Sequence, residues 1–428
     1  MRGLILAVAL SCPLALPAVS LAAQEPVESS RVPARLTLAE ALRIAEAASP
    51  VMAGARASVA MARSEVIGAR ERPNPTVEVE SRGFPLFESN RPAFLDHQEL
   101  TVAVSQELEP GGRRRWLREV ADLGVQVASA QGTDVLRRLR LDVQRAYVQA
   151  ALAKADSEAA RATLDDIDRV VAINRARLEQ GELSGIEMRR LQVERHRSAD
   201  EALVAELAVR QARSRLLALL GSQSLDQEFD TVDPLADPSL GASGPPAGPA
   251  DALANRPDLA ALRLSEQRAG ADAGLQRSLR IPPVSFGAGW QRDFGTNAVV
   301  VRATVGLPLW NRNESGRARA AAEQRLATGL TALAATSVAL EVQLAADAVA
   351  SNRRRVSSIA TDYVRAAREA RDIVLASYRA GAATLIDYLD AQRTLRDAQR
   401  AENRAWFDYR VSSFELEAAL GGAPGRRP

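Results

Sequence analysis

The chain has 428 residues, 46% apolar and 25% charged, with a formal net charge of +2. That length holds two or three globular domains or one elongated one, and the near-average composition excludes a disordered or collagen-like chain. Two histidines and one cysteine are too few for a zinc scaffold or a disulfide framework, and the charge balance argues against a nucleic-acid partner.

In chain order, Met1-Arg2, the apolar run Leu4 to Leu16 and the small-residue pattern Ser20-Leu21-Ala22 predict an export signal over 1–22. Cys12 is expected to leave with it. No run of 18 apolar residues follows, so no transmembrane helix is expected, and any membrane entry would be through a β-barrel. Thr37 with Glu40 predicts a helix start with a capping box. Ser49-Pro50-Val51 opens a second helix, which ends before Pro73-Asn74-Pro75. Strands are predicted at about 75–88 and 98–109. In them Val77 and Val79 alternate with Glu78, Glu80 and Arg82, and Leu100, Val102 and Val104 alternate with Thr101, Ala103 and Ser105.

Gly112 to Gly181 is almost free of helix breakers and predicts a helix, or two stacked ones, of roughly 100 Å. Gly181 to Gly221 predicts another of roughly 60 Å. Residues 222–250 form a linker rich in glycine and proline near 241–249. The order then recurs. Arg256-Pro257-Asp258 opens a helix, and Pro282-Pro283 precedes strands at about 283–292 and 298–308. Helices of matching length follow from Gly316 to Gly381 and Gly421. Gly181 and Gly221 stand 200 residues before Gly381 and Gly421, so the chain is a duplication, with repeat one over 37–221 and repeat two over 251–421.

Period-two alternation over 8–10 residues fits a barrel strand with a lipid face and a wet lumen, and equally a half-buried soluble strand. Export favours the barrel. Four strands cannot close one alone, but three chains would supply twelve. Phe84, Phe87, Phe94, Trp290, Phe294 and Trp310 lie in or beside the strands, as interfacial girdles require. No nucleophile–base pair stands out. His97 and His196 are far apart, and the sparse Met52, Met61 and Met188 form no soft-metal cluster. The Arg113-Arg114-Arg115 cluster marks a membrane–periplasm boundary.

The chain resembles the TolC-type outer-membrane factors, the outer membrane efflux protein family, over almost its whole length after the signal. The resemblance rests on the duplicated order and on three motifs. One is Ser105-Gln106-Glu107-Leu108-Glu109-Pro110-Gly111-Gly112-Arg113. The second is Pro308-Leu309-Trp310-Asn311-Arg312-Asn313-Glu314-Ser315-Gly316, which looks like the heavy-metal, CzcC-like branch. The third pairs Gly181-Glu182-Leu183-Ser184 and Glu187 with Gly381-Ala382-Ala383-Thr384 and Asp387.

The resemblance implies a mainly α chain with a β-barrel part. Duplicated helical hairpins would form a trimeric periplasmic α-barrel, and four strands per chain would give a 12-stranded outer-membrane barrel. It implies a homotrimer in a Gram-negative outer membrane reaching into the periplasm, surrounded by lipid. A periplasmic adaptor and a resistance-nodulation-division-type inner-membrane pump would be its partners. The chain would be a passive exit duct, not an enzyme, without cofactor or bound metal, with divalent heavy-metal cations as its cargo.

Asp387, Asp390, Tyr378 and Glu187 would form the periplasmic entrance and gate. Gly181, Ser184, Gly381 and Thr384 would be the adaptor-docking tips, and Glu78, Glu80, Arg82 and Arg302 would line the barrel lumen. Ala383 stands where some members carry a basic gate residue. Export of drugs, organic solvents or proteins is the alternative cargo. A periplasmic adaptor would carry one hairpin between small β-modules, and a coiled-coil scaffold would not fractionate with the outer membrane.

Overall fold

The computed structural model describes residues 32–82, 99–181, 183–236, 248–293 and 296–422. The expected export signal, Cys12, Glu182, His97 and the aromatics Phe84, Phe87, Phe94 and Phe294 lie outside these residues.

Repeat one comprises β1 (Arg35–Leu36), α1 (Leu38–Ala48), α2 (Pro50–Arg70), β2 (Thr76–Arg82), β3 (Glu99–Leu108), α3 (Arg113–Glu179) and α4 (Gly185–Leu219). After β4 (Asp230–Thr231), repeat two comprises α5 (Pro249–Asn255), α6 (Pro257–Ser278), β5 (Val284–Asp293), β6 (Thr296–Val305), α7 (Glu314–Ser358), α8 (Val364–Arg379) and α9 (Leu385–Ala419). α3 runs 67 residues without a break. It is the spine of the molecule, packed along α2 and α6 towards its start and along α4 and α9 towards its end.

The expected capping box forms. The Glu40 amide donates to the Thr37 hydroxyl, and the Glu40 carboxylate accepts from the Thr37 amide at 3.1 Å. The β2 strand ends at Arg82, and the rest of the expected 75–88 strand lies outside the described residues.

Three features depart from the sequence expectation. First, the 222–250 segment is only partly a linker. β4 pairs in parallel with β1, and Phe229 and Leu235 are buried. Lys154, the chain's single lysine, donates to Asp230 at 2.8 Å and anchors this segment to α3. Tyr147, fully buried, donates its hydroxyl to the Asp233 carboxylate at 2.8 Å and lies 2.9 Å from the Leu36 carbonyl. Burial pushes this phenol well above its ordinary range. Tyr147→Phe should therefore leave Asp233 short of a donor and cost about 1–3 kcal/mol, read as a lower thermal midpoint with unchanged helix content.

Second, the long helix of repeat two begins at Glu314, before Gly316, and is interrupted. Ile359–Tyr363 form a π turn between α7 and α8, with no counterpart in α3. Third, Glu314–Arg379 is long and apolar enough to cross a membrane by length and composition, yet little of its most apolar stretch is buried. Alanine, serine and threonine dilute its leucines, so the stretch contains no unbroken apolar run of 18 residues. Leu326, Leu330, Leu333, Leu340 and Leu344 are exposed and follow three-and-four spacing, the pattern of a helix–helix seam.

The Arg312-Asn313 motif has a local physical cause. Asn313 adopts the left-handed conformation (φ 57°), which asparagine tolerates. Its side-chain amide donates to the Gln276 carbonyl at 2.9 Å, tying the start of α7 to α6. A Cβ at Gly316 would collide with the Asn313 and Gln276 side chains, so Gly316 leaves them room.

Candidate functional site: a two-faced sheet and paired hairpin tips

The four-stranded antiparallel sheet has the order β2-β3-β5-β6. Its register sorts side chains onto two faces, because directly paired residues point the same way. Thr76, Glu78 and Glu80 are level with Ser105, Ala103 and Thr101. Those are level with Gly287, Gly289 and Gln291, and in turn with Arg302, Val300 and Ala298. This face is polar or small apart from Val300. The opposite face carries Val77, Val79, Val102, Val104, Phe286, Trp290, Val299 and Val301, all exposed, Val299 by 81%.

Glu78, Glu80, Arg82 and Arg302 thus share one face. Arg302 on β6 forms an ion pair with Glu78 on β2, although two strands lie between them. In a flat sheet these strands would lie roughly 14 Å apart. The pair closes because the floor beneath it is Ala103, Ser105, Gly287 and Gly289, and because two long side chains reach towards each other over these small residues. Arg82 pairs with Glu80 at 2.7 Å.

At the far end of the molecule the two hairpins turn. Gly181 and Gly381 both have φ near +77°, a conformation that disfavours any side chain. The Gly181 amide donates to Leu178 and the Gly381 amide to Tyr378, each at 3.1 Å, closing α3 and α8. Ser184 and Thr384 then cap α4 and α9. Glu187 and Asp387 complete capping boxes with them, the Asp387 carboxylate accepting from the Thr384 amide at 2.9 Å. Hydrogen bonds from the Thr384 hydroxyl and amide hold the Asp387 carboxyl below the usual carboxylate range. Asp387 and Asp390 are both exposed and three residues apart on α9.

The tips pack against each other. Ile167, Val170, Val171, Met188 and Leu191 of the first hairpin share a core with Tyr378, Leu385, Tyr388 and Leu389 of the second. Tyr378 is buried, stacks on Tyr388 (5.9 Å between centroids) and donates its hydroxyl to Asn174 Oδ1 at 2.6 Å. Arg177 lies 5.9 Å over the Tyr378 ring. The expected gate residues therefore divide. Asp387 and Asp390 face water, Glu187 is used as a helix cap, and Tyr378 joins the two hairpins of one chain. Burial pushes the Tyr378 phenol up, and pushes that of Tyr388 to about 12.

A second latch lies higher on the hairpins. Arg393 donates to the buried Glu194 at 2.6 Å, and Arg396 and Arg400 both reach Glu201. Burial alone would raise the Glu194 carboxyl, but Arg393 holds it below its ordinary value. Asn174 and this ladder were not expected from the sequence. The spacing of Arg393, Arg396 and Arg400 on one helix face, against Glu194 and Glu201 seven apart, was the available signal.

Tyr378→Phe should leave the fully buried Asn174 without its donor and loosen the tips by about 1–3 kcal/mol. The check is faster amide exchange confined to α8 and the end of α3. Among the described residues, no three His, Cys, Asp or Glu side chains gather as a metal site.

Comparison with known proteins agrees with this geometry. Residues 41–222 and 248–422 match the family model described as outer membrane efflux protein. The cobalt-zinc-cadmium resistance protein CzcC of Cupriavidus metallidurans is 25% identical over 281 residues. That match covers 65% of this chain and 64% of CzcC, just under two thirds of the relative's length. Among solved structures, CusC aligns with TM-score 0.78 at 20% identity, over 90% of this chain and 92% of that one. MtrE of Neisseria gonorrhoeae aligns at 0.77 with 20% identity, covering 90% and 89%. VceC of Vibrio cholerae aligns at 0.74 with 20% identity, covering 90% and 96%. With its duplicated hairpins, two-faced sheet and both repeats matched, the chain belongs to the outer membrane efflux protein family.

Proposed function

We propose that three copies of this outer-membrane efflux protein close into one duct, a twelve-stranded barrel in the membrane continued by a helical tunnel in the periplasm. The observation that carries this is the two-faced open sheet. Its polar face is bridged by the Arg302–Glu78 ion pair, its apolar face is exposed, and β2 and β6 are its outer strands. An open sheet with a bare apolar face is stable in lipid only when its edges are paired, and closure through neighbouring copies pairs them. Glu78, Glu80, Arg82 and Arg302 then line the lumen.

The exposed leucine seam of α7 would meet a neighbouring copy in the tunnel wall. Around a threefold axis, Asp387 and Asp390 become rings of carboxylates at the periplasmic mouth, which favour cations. Gly181, Ser184, Gly381 and Thr384 sit at the exposed turns where a periplasmic adaptor would dock, with a resistance-nodulation-division-type pump supplying the cargo.

We read the cargo as divalent heavy-metal cations, supported by the similarity to CzcC and by the Arg312-Asn313 motif. The chain conducts, and the choice of metal belongs to the pump and adaptor. A deletion strain should become sensitive to zinc, cobalt or cadmium, with resistance restored by the intact chain. Sensitivity to drugs alone would overturn the metal reading, and absence of a heat-stable trimer would overturn the duct.

A further inference from the structure

The four places where strands meet helices lie at one end of the sheet. Leu108, Val284 and Val305 are level with one another there. Side chains lock the junctions together. Arg114 donates to the Arg70 carbonyl at 2.7 Å, Ile281 sits against Gly111, and Asn313 holds Gln276.

This level has an unusual charge. Residues 70–72, 107–115, 277–280 and 312–319 hold ten arginines against four carboxylates, whereas the whole chain has a net charge of only +2. Arg72, Arg280 and Arg312 are exposed and pair with no carboxylate among the described residues. Beside them the chain turns apolar outward. Leu307 continues the odd-numbered apolar row of β6, and Leu309 and Trp310 follow, Trp310 being 94% exposed. A water-exposed loop has no reason to present Leu-Pro-Leu-Trp, whereas at a membrane interface the indole sits at head-group depth and arginines meet phosphates.

We infer that this junction is a seat for anionic phospholipid head groups of the periplasmic leaflet. Leu307, Leu309 and Trp310 dip into the leaflet, and Arg72, Arg280 and Arg312 collect phosphates around it. Two observations select lipid as the occupant: continuity with the bare apolar strand face, and the local excess of positive charge. The seat fixes the depth of the duct, and with it the height at which the tunnel begins. It rests on the barrel reading above.

The test uses the full chain reconstituted in vesicles of equal phosphatidylcholine and phosphatidylglycerol, with bromine on one lipid or the other. Bromine is placed near the head group or near the chain end. Emission differences between wild type and Trp310→Phe isolate Trp310, and Trp290→Phe isolates Trp290. Shallow bromine should quench Trp310 more than deep bromine. It should do so at least about twofold better when carried by phosphatidylglycerol, since each arginine near a surface favours anionic lipid. The Arg72→Gln, Arg280→Gln, Arg312→Gln triple variant should lose that preference while Trp310 stays quenched.

Equal quenching from both carriers would overturn the seat. So would an unquenched Trp310, which would mean that a neighbouring copy covers it. Quenching of Trp290 reports the barrel reading separately. If Trp290 escapes quenching, the barrel fails and the seat with it; if Trp290 is quenched and Trp310 is not, the seat alone fails.

Discussion

Gly289→Ala should remove the chain from the outer-membrane fraction while leaving its helices folded. A Cβ at Gly289 would stand 2.5 Å from Ala103 Cα and 2.6 Å from Ala103 Cβ. Those are atoms of the neighbouring strand, so no side-chain rotation relieves the clash. β3 and β5 would have to separate in the middle of the ladder that runs from Leu100↔Arg292 to Leu108↔Val284. That ladder joins the two repeats in the sheet. In water a parted ladder is resolvated, but in hydrocarbon each orphaned amide or carbonyl costs several kcal/mol. Insertion should therefore fail, with loss of the heat-stable trimer and unchanged helical circular dichroism. Gly287→Ala should be milder, since its Cβ would meet Ser105 Cβ at 3.1 Å. Gly329→Ala, where nothing in the same chain lies within 4 Å, should leave the strand pairing untouched. A normal trimer from Gly289→Ala would show that the strands need not approach so closely.

The second large effect is expected at the periplasmic mouth. Asp387→Asn with Asp390→Asn should cut the cation-over-anion preference of single channels severalfold and raise conductance. Asparagine keeps an acceptor for the Thr384 amide, so the α9 cap should survive and the loss should be one of charge. Asp390 alone, which plays no part in the cap, should account for part of the change. The pH dependence has a defined sign. Folding lowers the Asp387 pKa, so the stability it brings is present above the ordinary aspartate value. It is lost as pH falls through the lower folded value. The share of the cation preference that Asp387 carries should therefore persist through mildly acidic pH and be lost only below the usual aspartate range. Unchanged selectivity in the double variant, measured in planar bilayers, would show that these carboxylates do not face the conduction path.

Legibility differed from residue to residue for physical reasons. Gly181 and Gly381 could be placed at turns because a left-handed backbone leaves a mark in composition. The strands could be placed because alternation of Val with Glu or Thr is a direct consequence of the pleat. Glu187 and Asp387 carried two messages. Each stands three residues after a hydroxyl side chain, the spacing of a capping box, and also at a position that the resemblance assigns to a gate. The π turn at Ile359–Tyr363 has no proline or glycine to announce it. β4 is two residues long and forms only because β1 lies beside it, so the 222–250 segment read as a linker.

The sequence by itself determined the duplication, the length of the hairpins, the alternating strands and the glycine turns. The last three follow from interactions between residues a few positions apart, and the duplication from the recurrence of the same order 200 residues on. Only the tertiary structure decided that Arg302 meets Glu78, that Tyr378 meets Asn174, and that Arg393 meets Glu194. These partners lie about two hundred residues apart along the chain. What joins them is the side-by-side packing of the two repeats with their hairpin turns at the same end, together with the small side chains that let the strands approach. Periodicity records which face of an element is buried; it carries no record of which distant face will cover it.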